Sequence, residues 1–243
     1  MFEIHSKFAS FDPAKPNRAI LVIADSEPLP GWVERNCFDE SELARRDRTT
    51  HPRAKFQFTR GRLILRNVLG KWMGLAPKGV PIRLSADGKP VLDSPYDTFH
   101  FNVSNTEGFI AFVFSNTPVG IDVECHRPGR DLPGLVKRYF APNEVKQFES
   151  LPLELRDAAF LRGWTCKEAL LKGIGCGVRE LANCEVELDP RLPPRAKKLP
   201  REAGEREWEL HCWTVCEGVE AAVARITSLP SAPPASASRP RGT

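Results

Sequence analysis

Residues 119–124 read VGIDVE, and how this stretch is read decides the fold. Side chains alternate along a strand, so Ile121 and Val123 share one face while Asp122 and Glu124 share the other. Two carboxylates side by side repel, and each is driven toward its neutral form. A bound cation removes that cost. The stretch therefore reads as a buried strand with a packing face and a chemical face.

Upstream lie two more apolar segments, HFNVS (100–104) and FIAFVFS (109–115). The polar breaks NTEG and NTP separate the three, which predicts adjacent strands joined by tight turns. Farther back, RAILVIAD (18–25) reads as a buried strand and ADGK (86–89) as a turn, because Asp-Gly readily supplies positive φ. DESELARR (39–46) begins a helix with Asp39 or Ser41 available as N-cap. In FQFTRGRLILRNVLGKWMG (56–74), Leu65, Val68, Leu69 and Trp72 recur at helical intervals, and Gly74 closes the pattern.

Downstream, LVKRYFAPNEVKQFESL (135–151) is helical in parts, with Pro142 opening a new turn. LRDAAFLRGWTCKEALLKGIGCGV (155–178) is the strongest helix, ended by Gly173 and Gly175. CEVELD (184–189), EWELHCWTVCEG (207–218) and VEAAVARI (219–226) predict a second sheet. From Ser228 the Pro, Ser and Ala content rises and the apolar pattern stops, which predicts a disordered tail. No internal repeat is visible by inspection. Strands and helices in this order, with hairpin-length gaps, predict an α+β fold with mainly antiparallel sheets. The expected division is 1–118, 119–227 and the tail 228–243.

The chain has 243 residues, 41% hydrophobic and 27% charged, enough for a proper core. Its formal charge of +4 is unevenly spread: nine Arg or Lys fall between Arg45 and Lys71 against the single acid Asp47, an anion-facing pattern. The N-terminus lacks a secretory apolar region, and no apolar run approaches the roughly eighteen residues needed to span a bilayer. The seven cysteines form no C-x-x-C pair, which favours free thiols in a reducing cytoplasm and gives no zinc framework. The arginine block matches no helix-turn-helix or zinc pattern and no apolar run spans a bilayer, so neither nucleic acid nor membrane is expected as a partner.

On the long helix, Trp164, Glu168 and Lys172 form one stripe at four-residue spacing. Glu168 with Asp122 and Glu124 makes an oxygen-only donor set suited to a hard divalent cation, magnesium above all, with Lys172 one turn on toward a phosphate. Taken singly, each signal is ordinary: D-x-E is usually a solvated face, and an i,i+4 Glu-Lys pair is common surface decoration. Trp164 reads as core, and His100 and His126 as packing or surface residues.

In order and spacing, VGIDVE followed by WTCKEALLK resembles the 4′-phosphopantetheinyl transferases, in particular the larger, monomeric Sfp-like group. The basic RGRLILRNVL helix, GKP (88–90) and FNVSN (101–105) are similar too, so the resemblance covers roughly residues 42–178. It implies two similar α+β halves with coenzyme A between them. The reaction implied is magnesium-dependent transfer of phosphopantetheine to a serine of an apo acyl or peptidyl carrier protein, of the holo-[acyl-carrier-protein] synthase type. Adenosine 3′,5′-bisphosphate is the implied by-product. Asp122, Glu124 and Glu168 match the metal ligands and Lys172 the diphosphate-side lysine. Glu144 matches a glutamate proposed as general base, with Glu124 acting through water as the competing candidate. Arg62, Arg45, Arg48 and Lys89 match phosphate contacts, and Ser104 and Asn105 fall where many members have Ser-His. Asparagine donates a hydrogen bond but carries no charge. A non-catalytic coenzyme A or carrier-binding module would have lost a metal acid, and a magnesium-dependent phosphohydrolase would not account for GKP and FNVSN.

Overall fold

The computed structural model describes residues 19–24, 29, 33–85 and 88–227. The turn at Ala86–Asp87 and the tail from Ser228 lie outside them, as do the two ends of the 18–25 segment.

The first half runs β1 (Ala19–Ala24), α1 (Glu40–Arg48), α2 (Pro52–Met73), β2 (Ile82–Leu84), β3 (Pro90–Leu92), β4 (His100–Thr106) and β5 (Phe109–Ser115). The second runs β6 (Val119–Cys125), α3 (Leu132–Tyr139), α4 (Pro142–Ser150), α5 (Leu153–Ile174), β7 (Glu185–Val186), β8 (Ala196–Lys198), β9 (Trp208–Cys216) and β10 (Val219–Ile226). All strand pairings are antiparallel, in sheets ordered β1-β5-β4 and β6-β10-β9 plus the small pairs β2-β3 and β7-β8. The fold is α+β, as the alternation of patterns predicts.

One expectation is overturned. β4 and β5 form a hairpin, but β6 does not continue their sheet; it pairs with β10, Ile121 opposite Val223 and Asp122 opposite Ala222. Both edges of β5 are taken by β1 and β4, and at β4 the β6 amides are met by the side chains of Asn102, Ser104 and Thr106 rather than by backbone. The two similar halves that the resemblance implies are present, although inspection of the sequence shows no repeat. Each half is a strand, a 22-residue helix, a small strand pair and a hairpin, with the hairpin's last strand central. The chain is a structural repeat. Both long helices end on a left-handed glycine cap, Gly74 at φ 67° and Gly175 at φ 91°.

The sheets pack face to face between the helices. On β5, Ile110, Phe112 and Phe114 face α2, where they meet Ile64, Leu65, Val68 and Leu69. Its alternate residues Ala111 and Val113 face the other way, onto Val119, Ile121 and Val123 of β6 and Ala221 and Val223 of β10. On β10, Ala222 and Ala224 pack toward α5 in the second helical core. The halves thus share one central apolar layer.

Asp39 is the N-cap of α1, with its side chain accepting from Glu42 N at 2.9 Å, and Pro142 opens α4. Trp164 packs edge-on against Tyr139 at 5.6 Å, at the margin of the second core. His126 pairs with Asp157 on the surface, and burial holds half-buried His100 below its ordinary pKa. All seven cysteines are free thiols. No helix among the described residues is long and apolar enough to cross a membrane.

Candidate metal centre

The strand acids reach the long helix because Gly120 has no side chain. A Cβ at this position would overlap the Ala169 carbonyl oxygen and the Gly173 backbone of α5. β6 therefore crosses α5 at backbone contact distance. Asp122 and Glu124, on the same strand face as Gly120, then lie along the helix toward Glu168.

Asp122 is almost wholly buried, at 3% exposure. Its Oδ1 accepts from Lys172 Nζ at 2.6 Å and from Ser104 Oγ at 2.7 Å. Its Oδ2 is buried with no hydrogen-bond partner among the described residues. Lys172 Nζ also reaches Ser104 Oγ at 3.1 Å, and Lys89 Nζ donates to the Lys172 carbonyl at 2.6 Å. Burial, then the neighbouring Lys172 charge, pulls the Lys89 ammonium below its usual pKa.

The remaining acids feel the crowding. Burial pushes Glu168 up to about 6, with Lys172 opposing and the Asp122 and Glu124 charges adding to the rise. Glu124 is raised by burial and then by Asp122, against Arg127, Arg130 and Lys172. Two carboxylates raised by burial and then by neighbouring acids, beside a third with an orphaned oxygen, form a set that a divalent cation would relieve. The donor chemistry fits magnesium. Among the described residues, however, no three His, Cys, Asp or Glu side chains come together closely enough to hold a metal ion, and Lys172 supplies the neutralising charge at Asp122.

β4 contributes a feature that sequence reading missed. Asn102, Ser104 and Thr106 share one strand face and supply side-chain oxygens to the edge of β6. Ile121 N donates to Asn102 Oδ1 at 3.0 Å, Val123 N to Ser104 Oγ at 3.4 Å and Cys125 N to Thr106 Oγ1 at 3.3 Å. The same hydroxyls point their protons at the acids, Ser104 to Asp122 and Thr106 to Glu124 at 3.4 Å. The available signal was a polar residue at every second position of an apolar strand. Asn105, between two of these, is exposed and faces away.

The predicted phosphate residues separate into groups. Lys89, Ser104 and Lys172 join the acids. Arg45 and Arg62 instead flank Phe58, their guanidinium carbons 4.9 and 5.8 Å from its ring centre. Arg62 Nε pairs with Glu42 Oε1 at 3.0 Å, while its Nη1 is buried with no partner among the described residues. Arg48 is exposed at the end of α1.

Glu144 does not fit the role of proton acceptor. It is 2% exposed, its Oε1 accepts from Val186 N at 2.8 Å, and its Oε2 accepts from Ala141 N at 2.8 Å and from Lys167 Nζ. A carboxylate saturated in this way has no oxygen to offer a substrate hydroxyl.

Residues 118–224, which hold β6 and α5 entire, match the model of the 4′-phosphopantetheinyl transferase superfamily. The 4′-phosphopantetheinyl transferase HetI of Nostoc sp. is 38% identical over 162 residues, covering 65% of this chain and 68% of that protein. A 4′-phosphopantetheinyl transferase of Bacillus subtilis is 30% identical over 118 residues, covering 49% of this chain and 51% of its own. With most of the Nostoc protein matched at that identity, and the strand acids and helix glutamate inside the matched region, the chain belongs to the 4′-phosphopantetheinyl transferase superfamily.

Proposed function

We propose that the protein transfers the 4′-phosphopantetheine group of coenzyme A to a serine of an apo acyl or peptidyl carrier protein, with magnesium, releasing adenosine 3′,5′-bisphosphate. What supports this reading is the Lys172–Asp122 ion pair beside an Asp122 oxygen that is buried with no hydrogen-bond partner among the described residues, with Glu168 near enough to feel the Asp122 and Glu124 charges.

The serine oxygen attacks the β-phosphorus, a new P–O bond forms, and the bond to the bridging oxygen breaks with its electron pair leaving on the α-phosphate. Such a reaction needs positioning and charge neutralisation more than covalent help. Asp122, Glu124 and Glu168 would hold the magnesium ion, which when bound offsets charge on the diphosphate. Lys172 and Lys89 bring two cations to the same place, and Lys172 is released from Asp122 when another cation serves that acid. Arg45, Arg48 and Arg62 meet the separate 3′-phosphate, with the unpartnered Arg62 Nη1 as a donor in waiting. Asn105 adds an uncharged donor on the exposed side of β4. The serine proton passes to a carboxylate of the cluster, Glu124 through water being the half-buried and approachable one.

Beside β6, two depressions border α3. One of about 390 Å³ is lined by His126, Arg127, Arg130, Leu132, Leu153 and Arg156 among others. The other, about 600 Å³, runs from Arg130 to Trp164 past Leu135 and Tyr139. Cations and apolar side chains together suit an acidic helical carrier surface.

Intact-mass measurement across a panel of apo carrier proteins tests the proposal. A gain of one phosphopantetheine that requires coenzyme A and magnesium supports it. Coenzyme A binding without any mass gain across the panel would leave a binding module instead.

A further inference from the structure

The repeat assigns Glu144 a role. α2 spans 52–73 and α5 spans 153–174, so both ends lie 101 residues apart, and Arg66 and Lys167 each occupy the fifteenth position of their helix. Both are buried cations, at 1% and 0% exposure. Each pairs with a glutamate at the third position of the short helix that precedes it, Glu42 in α1 and Glu144 in α4. Each glutamate also accepts from the N–H of its own helix's N-cap, Glu42 from Asp39 at 3.1 Å and Glu144 from Ala141 at 2.8 Å.

The pairs also tie down the chain that follows the long helix. Arg66 Nη1 donates to the carbonyls of Pro77, Lys78 and Val80, at 3.0–3.2 Å. In the second half Glu144 takes the Val186 N–H of β7. Lys167 completes its surroundings over the Phe140 ring, 4.5 Å from the centre.

The next position separates the halves. Asn67 follows Arg66, and its amide holds Glu34 backbone, donating at 3.0 Å and accepting at 2.7 Å. Glu168 follows Lys167 and faces the strand acids. The buried pair is therefore common to both halves, whereas the acid beside it occurs in one.

We infer that Glu144 and Lys167 are positioning residues: their pair fixes the rotation of α5 and so aims Glu168 at Asp122 and Glu124, while Glu144 takes no proton from substrate. A side chain on a helix points about 100° from its neighbour, so anchoring Lys167 on the core side sets the direction of Glu168. This rests on the magnesium-dependent reading above.

The test uses Glu144→Gln, Lys167→Met and the double variant, read by melting temperature, Mn²⁺ affinity followed by electron paramagnetic resonance, and transfer. Each single change strands one buried charge, and a loss of about 10 °C in melting temperature with weaker Mn²⁺ binding is expected. The double variant carries neither charge and should regain most of both, together with transfer at saturating magnesium. Regained turnover without a carboxylate at position 144 is incompatible with a base there. A double variant that melts and binds Mn²⁺ like the parent but stays 100- to 10,000-fold slow, the size of a lost base, would overturn the inference. If the double variant does not fold, Lys167→Arg decides, since it keeps the carboxylate. A shift in Mn²⁺ affinity with kcat retained at saturating metal supports positioning, and a fall in kcat at unchanged affinity overturns it. Failure of the parent to transfer at all would strike the functional reading, leaving the role of the pair to melting and Mn²⁺ binding.

Discussion

Lys172 Nζ lies 2.6 Å from Asp122 Oδ1, so the helix lysine neutralises a buried strand acid. A cation binding to Asp122 competes with this ammonium. Lys172→Met is therefore expected to tighten Mn²⁺ binding to the protein without coenzyme A, while raising KM for coenzyme A and lowering kcat. Calorimetric titration separates the effects, and weaker metal binding in the variant would contradict the competition.

Glu168 carries a stability cost. With its folded pKa near 6 against an ordinary 4.5, the unfolded chain loses the proton first as pH rises. Folding free energy therefore declines between about pH 4.5 and 6 and stays reduced above, by on the order of 2 kcal/mol. Glu168→Gln should melt higher than the parent at pH 7.5 without divalent metal, with the difference vanishing near pH 4.5. Transfer should be abolished, and magnesium should raise the melting temperature of the parent alone. A variant less stable than the parent at neutral pH would refute this account of the site.

Gly120→Ala tests the strand–helix crossing. The added methyl meets backbone atoms of Ala169 and Gly173, which cannot swing aside as a side chain end would. We expect a loss of about 1–3 kcal/mol or more in denaturant melts, with transfer lost as Glu168 is pushed from the strand acids. Gly177→Ala, where a Cβ meets nothing within 4 Å, serves as the comparison and should be close to neutral.

The polar face of β4 predicts an order of effects. Ser104 gives Asp122 a hydrogen bond at 2.7 Å, whereas Thr106 approaches Glu124 at 3.4 Å. Ser104→Ala should weaken Mn²⁺ binding about 10-fold, the scale of a partner that orients a metal ligand, and Thr106→Val less. Equal affinities in both variants and the parent would mean that these hydroxyls serve only the β6 backbone.

Much of the second half was legible because its signals are local. The α5 periodicity, the glycine that closes it and Pro142 at the start of α4 depend on neighbours within a turn. Alternation in VGIDVE likewise gave Asp122 and Glu124 one face without knowledge of the partner strand. Glu144 misled because a glutamate three residues into a helix looks alike whether its oxygens face solvent or a buried lysine. The repeat was hidden by its own sequence. Phe-x-Arg-Gly occurs at 58–61 and 160–163, 102 apart, while the helices are 101 apart. Aligning on that motif superposes Arg66 on Glu168 rather than Lys167.

The chain alone determined which segments would be helix or strand, which carboxylates could share a site, and where positive charge would gather, since these follow from spacing and side-chain chemistry. Only the tertiary structure decided that β6 would leave the first hairpin for β10, that α5 would touch Gly120, and that Arg66 and Lys167 occupy the same place in two halves. Those outcomes depend on which strand edges remain open and on contacts between backbones some fifty to a hundred residues apart, distances over which local preference carries no information.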